Sequence, residues 1–168
     1  GYVGLVIAIS LGITAIGRIG DNYSQNQYYI AAYADQIYLH PMGRVGIMGY
    51  ALYRKYIKSA LEKMMVEFHV FSAGAYKSAL EPFLRNDMSE EAREANAAWL
   101  NTLWQAYKTD VAAQRGLKPE HIDDYINNLG NHLAKVKGDT ARLAIEQGLV
   151  DALKTRDQVR DELIGLVG

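Results

Sequence analysis

The stretch that most limits what this chain can fold into runs from about Glu90 to Arg115, where Trp99, Leu100, Leu103, Trp104, Tyr107 and Val111 recur three and four residues apart. That is the period of a helix with one apolar face, and it predicts the longest element of the chain. Asp87 followed three residues later by Glu90 offers a capping box, and Ser89 ahead of Glu90 and Glu91 offers an alternative cap. Gly116 ends the helix. A face carrying two tryptophans reads as core or subunit interface ahead of a ligand platform.

The covering layer is sought among short apolar runs bounded by turn residues. Val3 to Ile9 is apolar throughout and suits a strand buried on both faces of a parallel sheet. Leu11 to Ile19 is ambiguous between helix and strand. Gln36 to Leu39 reads as a short strand ended by His40-Pro41, Gly43 to Met48 as a second one broken by Gly49, and Val66 to Ser72 as a third. Between them lie helical patterns. Asn26 to Ala34 is one, fed by a turn over Asp21 to Gln25. Ala51 to Met65 is another, with Leu52, Tyr56, Ile57, Ala60, Leu61 and Met64 on one stripe and Arg54, Lys55, Lys58 and Glu62 opposite. Further on come a helix from Pro119 to about Asn128, a turn over Asn127 to Asn131, a helix from Thr140 to Gln147 capped by Gly138-Asp139, and a helix over Asp157 to Ile164. Short strands alternating with helices imply an α/β layer fold.

Composition excludes several functions. A length of 168 residues suits one domain, 1–168, able to bury roughly 70% of its unfolded surface without cross-links. A net charge of -1 with no basic run gives nothing to follow a phosphate backbone, so no nucleic-acid partner is expected. With no cysteine there is neither thiol catalysis nor thiolate metal binding, and His40, His69, His121 and His132 lack paired ligand spacing. No metal or cofactor is expected. The first seventeen residues carry no charge, but Gly4, Ser10, Gly12 and Thr14 interrupt a stretch already shorter than the roughly 20 residues of a span, and no basic segment precedes it.

The chemistry-bearing candidate is Lys77, in the run G-A-Y-K-S-A-L-E-P-F-L-R-N-D-M from Gly74 to Met88. It follows an apolar run and a small-residue corner, Ala73 to Ala75, and is followed by Ser78 and a short turn that Pro82 stops, so it can be aimed back into the fold. A lysine acts as a general base only when neutral, which requires its pKa to fall from about 10.4 towards about 7. Burial can supply that shift, but a lone lysine is ordinarily a solvated surface charge.

Four blocks, in order, change that weighting: G-D-N-Y-S-Q-N-Q-Y-Y at Gly20 to Tyr29, H-V-F-S-A-G-A-Y-K-S-A-L-E-P-F at His69 to Phe83, R-N-D-M-S-E-E-A-R-E at Arg85 to Glu94, and G-D-T-A-R-L-A at Gly138 to Ala144. From Gly20 to Asp151 the chain resembles the amino-terminal half of the long, double-domain form of the signal peptide peptidase A (protease IV) family, serine peptidases of the bacterial envelope. The resemblance implies a fold like the Clp protease and the crotonases, a spiral of ββα units with a mostly parallel sheet. It implies a Ser/Lys dyad in which Lys77 is the general base and the serine belongs to a carboxy-terminal domain. It also implies peptide substrates such as cleaved signal peptides, a homo-oligomer (a tetramer is expected), and a place at the periplasmic face of the bacterial inner membrane, held by an anchor outside this chain. Against the family pattern, a helix and a strand are missing before Gly20.

Within that resemblance, the serine-bearing half carries a G-D-x-x-A-S-G-G-Y-type sequence where this chain has Gly20 to Tyr28. The nucleophile falls on Gln25, and the two following glycines fall on Asn26 and Gln27. A primary amide is no nucleophile, so the slot is vacated and this chain alone is expected to be inert. Ser24 is one residue out of register, about 100° away around a helix, and is assigned to capping or core hydrogen bonding. Ser78 is assigned to solvation or capping, and Glu81 and Arg85 to ordering the loop. Two other readings are a non-catalytic scaffold for such a peptidase, with Lys77 merely paired to an acid, and an acyl-CoA-binding crotonase relative, for which no CoA pocket is visible.

Overall fold

The computed structural model describes residues 16–67, 69 and 78–167. Two compact units are present: one formed by the described residues up to Gly49 together with Gln105 onward, the other by Tyr50–Trp104. The architecture is mixed α/β.

The first unit is built on a three-stranded parallel sheet in the order β1-β2-β3. Strand β1 spans Ile16–Ser24, β2 spans Gln36–Gly46 and β3 is the short Ala152–Leu153. Ile37, Tyr38 and Leu39 of β2 are consecutive and all buried, as a strand covered on both faces requires. Helix α1 (Gln25–Ala31) packs on β1 and β2, and α7 (Thr140–Glu146) packs on β2. Tyrosines fill much of this core, and three of their hydroxyls reach main-chain carbonyls: Tyr23 donates to Tyr38 O at 2.8 Å, Tyr28 to Leu149 O at 2.6 Å and Tyr125 to Val45 O at 2.8 Å.

Two expected short strands are one. Gln36–Gly46 runs through His40-Pro41 because the register absorbs the break: Gly20 pairs with Leu39 but Asn22 already pairs with Arg44, leaving extra residues on β2 as a bulge. Gly43 lies in it, and a Cβ there would collide with Asp21 O and His40 O. The ambiguous run before Gly20 resolves in part as β1, and Asp21–Ser24 is its end rather than a turn. Val3 to Ile9 and most of Val66 to Ser72 lie outside the described residues.

Helix α4 (Glu90–Arg115) has the expected bounds. Of its two possible caps Ser89 is used: its hydroxyl oxygen accepts from Ala92 N at 3.2 Å. Helix α5 (Pro119–Asn127) follows, then α6 (Leu129–Lys135), where the sequence predicts only a turn. Gly130 has open space around it and α6 buries none of its residues, so no apolar stripe announces it. Asp139 caps α7 by accepting from Arg142 N at 2.9 Å, and Gly148, at φ +67°, ends the turn beyond. The last helix, α8, covers Arg156–Val167.

The second unit departs further from expectation. The helix anticipated over Ala51 to Met65 shrinks to α2, Lys58–Lys63, and Met64 and Met65 are exposed. A six-residue helix has little intrinsic stability, and the Leu52 and Tyr56 end of the stripe does not extend it. Pro82 does not stop a turn. It lies in the first turn of α3 (Glu81–Leu84), where a missing N–H costs nothing, after a single 3-10 turn at Ser78–Leu80.

Candidate functional site

The junction between β1 and α1 carries Ser24 to Gln27, the residues that the resemblance sets against the nucleophile sequence of the serine-bearing half. Ser24 is extended, with φ -71° and ψ 163°, and is the N-cap of α1. Its N–H and its hydroxyl both donate to Gln27 Oε1, each at 3.0 Å, so Ser24 is committed to the helix start, as its one-residue offset predicts.

Gln25 is the first helical residue. The pairing of Ser24 with Gly46 brings the segment leaving β2 alongside it. There Gln25 Oε1 accepts two hydrogen bonds, from Met48 N at 3.0 Å and Gly49 N at 2.8 Å. Its main-chain carbonyl accepts from the Tyr107 hydroxyl at 3.2 Å. Asn26 and Gln27 are exposed. Beside this junction Tyr29 stacks on Tyr107 with ring centroids 5.6 Å apart, and the Tyr29 hydroxyl donates to Asp110 Oδ2 at 2.6 Å. That bond, then the one from Tyr33, then partial desolvation hold the Tyr29 phenol well above its ordinary pKa.

Lys77 lies outside the described residues. Ser78 opens the 3-10 turn that follows it. Glu81 accepts from Ser89 N at 3.3 Å and also from the Ser89 hydroxyl, tying the loop to the start of α4. Arg85 pairs with Asp87 at 3.3 Å on the exposed side. The histidines are dispersed: His40 Nδ1 accepts from Met42 N at 3.2 Å, His121 Nε2 lies 3.1 Å from Gln147 O, and His132 Nε2 lies 2.8 Å from Asp124 Oδ2. Among the described residues no three carboxylates or imidazoles converge as a metal site would require.

Two polar contacts have no counterpart in the sequence reading. Lys108 of α4 is buried and pairs with Asp123 of α5; its sequence signal is a lysine four residues from Trp104 and three from Val111, on the buried stripe. Arg115 grips both Asp151 oxygens, at 2.6 and 3.2 Å, and Asp151 Oδ2 accepts from Ile37 N at 2.7 Å, joining the end of α4 to the middle strand. Nothing local in the sequence marks that pairing, which spans 36 residues.

The sequence profile of Peptidase family S49 matches residues 16–168. Protease 4 of Salmonella typhi is 44% identical over 145 residues, 86% of this chain and 24% of that protein. Protease 4 of Haemophilus influenzae is 41% identical over 148 residues, 88% of this chain and 24% of that protein. A chloroplastic serine protease SPPA of Arabidopsis thaliana is 24% identical over 133 residues, 79% of this chain and 18% of its own length. The chain belongs to peptidase family S49. It spans about a quarter of the length of the two bacterial relatives.

Proposed function

We propose that this chain is the lysine-contributing half of a membrane-associated serine endopeptidase that degrades cleaved signal peptides. The observation that carries the reading is Gln25: at the residue that the resemblance sets in the nucleophile's place, the side-chain amide oxygen is engaged by two backbone N–H groups. An amide there can neither attack a carbonyl nor make room for one. The hydroxyl must then come from a serine-bearing carboxy-terminal domain.

In that arrangement the neutral Lys77 amine takes the proton of the serine hydroxyl as its oxygen attacks the scissile carbonyl. The resulting ammonium returns the proton to the leaving amine. Backbone N–H groups in the serine-bearing half hold the oxyanion. The reading also carries the Clp protease and crotonase-like spiral for the fold, a homo-oligomer (tetramer) as the working form, and the periplasmic face of the bacterial inner membrane as its location.

The test is hydrolysis of a fluorogenic peptide ester by the complete protein. Lys77→Ala is expected to abolish turnover while folding is kept, and Ser24→Ala to leave it within about threefold, since loss of a cap costs about 1 kcal/mol. Wild-type turnover in Lys77→Ala sinks the role of base. This chain alone is expected to be inert; if it hydrolyses the ester, and Lys77→Ala removes that activity, a nucleophile lies within these residues and the half-site reading is wrong.

A further inference from the structure

In an extended strand, consecutive backbone N–H groups point to opposite sides, so two of them can meet one oxygen only where the chain turns. Met48 and Gly49 lie just beyond β2, where the backbone leaves the extended conformation: Gly49 has φ +79°, in the region glycine enters without strain. Their N–H groups meet at Gln25 Oε1, at 3.0 and 2.8 Å. Those are the distances at which paired donors hold a carbonyl or an oxyanion, and paired main-chain donors of this kind form a concave acceptor site.

The occupant is replaceable. Main-chain contacts of α1 hold Gln25 independently of its side chain: its carbonyl accepts from Tyr107, and the Ser24–Gln27 cap closes the helix start. The bond from Met48 is solvent-exposed, a Cβ on Gly49 would meet nothing within 4 Å, and the Met48 side chain is 83% exposed. An incoming ligand would therefore find two donors, open space on one side and an apolar side chain beside them.

We infer that the paired N–H groups of Met48 and Gly49 form a carbonyl-binding site kept shut by the amide of Gln25, and that its external ligand is an sp² oxygen of a peptide, either a backbone carbonyl or a terminal carboxylate. The assignment to peptides rests on the peptidase reading above; the site does not. A tethered amide competes at an effective concentration in the millimolar range, so the wild-type site binds weakly and loss of the amide uncovers it.

The full chain, isotopically labelled at methionine and glycine nitrogens, is titrated by NMR with sodium acetate and, separately, with N-acetylalanine amide. In Gln25→Ala the Met48 and Gly49 amide resonances are expected to move saturably, with affinity at least about tenfold above wild type. Acetate alone acting identifies a carboxylate site, and both probes acting identify a general carbonyl site. A folded Gln25→Ala chain with unmoved resonances, or a wild-type chain that titrates equally well, overturns the inference. Gln25→Glu guards against misfolding of the alanine variant: the introduced carboxylate is expected to titrate below the usual glutamate value of about 4.3 and to move both amide resonances as it does so. Titration at the usual value with static amides overturns it too. Neither readout involves hydrolysis, so failure here leaves the Lys77 assignment standing, and the reverse.

Discussion

The sheet-bearing unit and the Tyr50–Trp104 unit are stabilised by different means. Nearly every buried apolar side chain among the described residues lies in the first, including Tyr28, Ile37, Tyr38, Leu39, Ile122, Leu143 and Leu149. Among the described residues of the second, only Ala92 and Ser89 are buried, while Tyr53 is 91% and Met65 93% exposed. Its described elements are joined by polar contacts instead: Ile57 N donates to Pro82 O at 2.8 Å, Ser59 N and Oγ donate to Asn86 Oδ1, and Glu81 holds Ser89. Apolar burial contributes in proportion to area and tolerates solvent, whereas exposed hydrogen bonds yield little net stability. The contrast predicts that the first unit carries the global stability and that the second opens locally at lower free energy.

The largest expected effect is therefore in the sheet unit. Ile122→Ala, at a fully buried position, should cost about 2–5 kcal/mol in denaturant unfolding. A cost below about 1 kcal/mol would dissolve the distinction between the units.

A smaller loss is expected where that unit holds a buried charge. Asp123→Asn strips the carboxylate from a lysine whose side chain is only 6% exposed, and should cost about 3 kcal/mol. Lys108→Met removes the charge along with its desolvation and should cost less. The opposite ranking in thermal melts would show that the pair is not what holds α5 to α4.

Titration tests the same core from another direction. Burial pushes the Tyr125 phenol up to about 12, and burial likewise raises Tyr28 beyond the ordinary range. A raised phenol means that the unfolded chain releases its proton first. Stability is then fully present below about pH 10, the ordinary tyrosine value, and is lost as pH rises above it. On the acid side, the Lys154 ammonium and the Tyr38 hydroxyl hold the Glu162 carboxyl below its usual value, so its contribution is present above about pH 4.3 and is lost as pH falls. Stability that stays flat from pH 8 to 12 would contradict the tyrosine core.

The smallest effects belong to the second unit. Ser89→Ala removes the α4 cap and should cost about 1 kcal/mol. Trp99→Ala, at a residue 46% exposed, should change unfolding by no more than about 0.5 kcal/mol in this chain. A cost of several kcal/mol for Trp99→Ala would mean that the helix face is buried in the working molecule, as a subunit interface requires.

The sequence by itself determined whatever rests on local pattern. The bounds of α4 follow from its apolar period, and the Asp139 cap of α7 from a polar residue before a helical stripe. Family membership was legible for a related reason: four blocks of ordered residue identities are local information. Tertiary structure alone decided the rest. The bulge that carries β2 through Pro41 depends on the register of β1, and the Arg115–Asp151 clamp on two segments distant in sequence meeting at the middle strand. The engagement of Gln25 belongs with these. That its side chain meets two N–H groups more than twenty residues away follows from the pairing of Ser24 with Gly46 and from a glycine at positive φ, and hydrogen bonds set by strand register leave no periodic trace in a sequence.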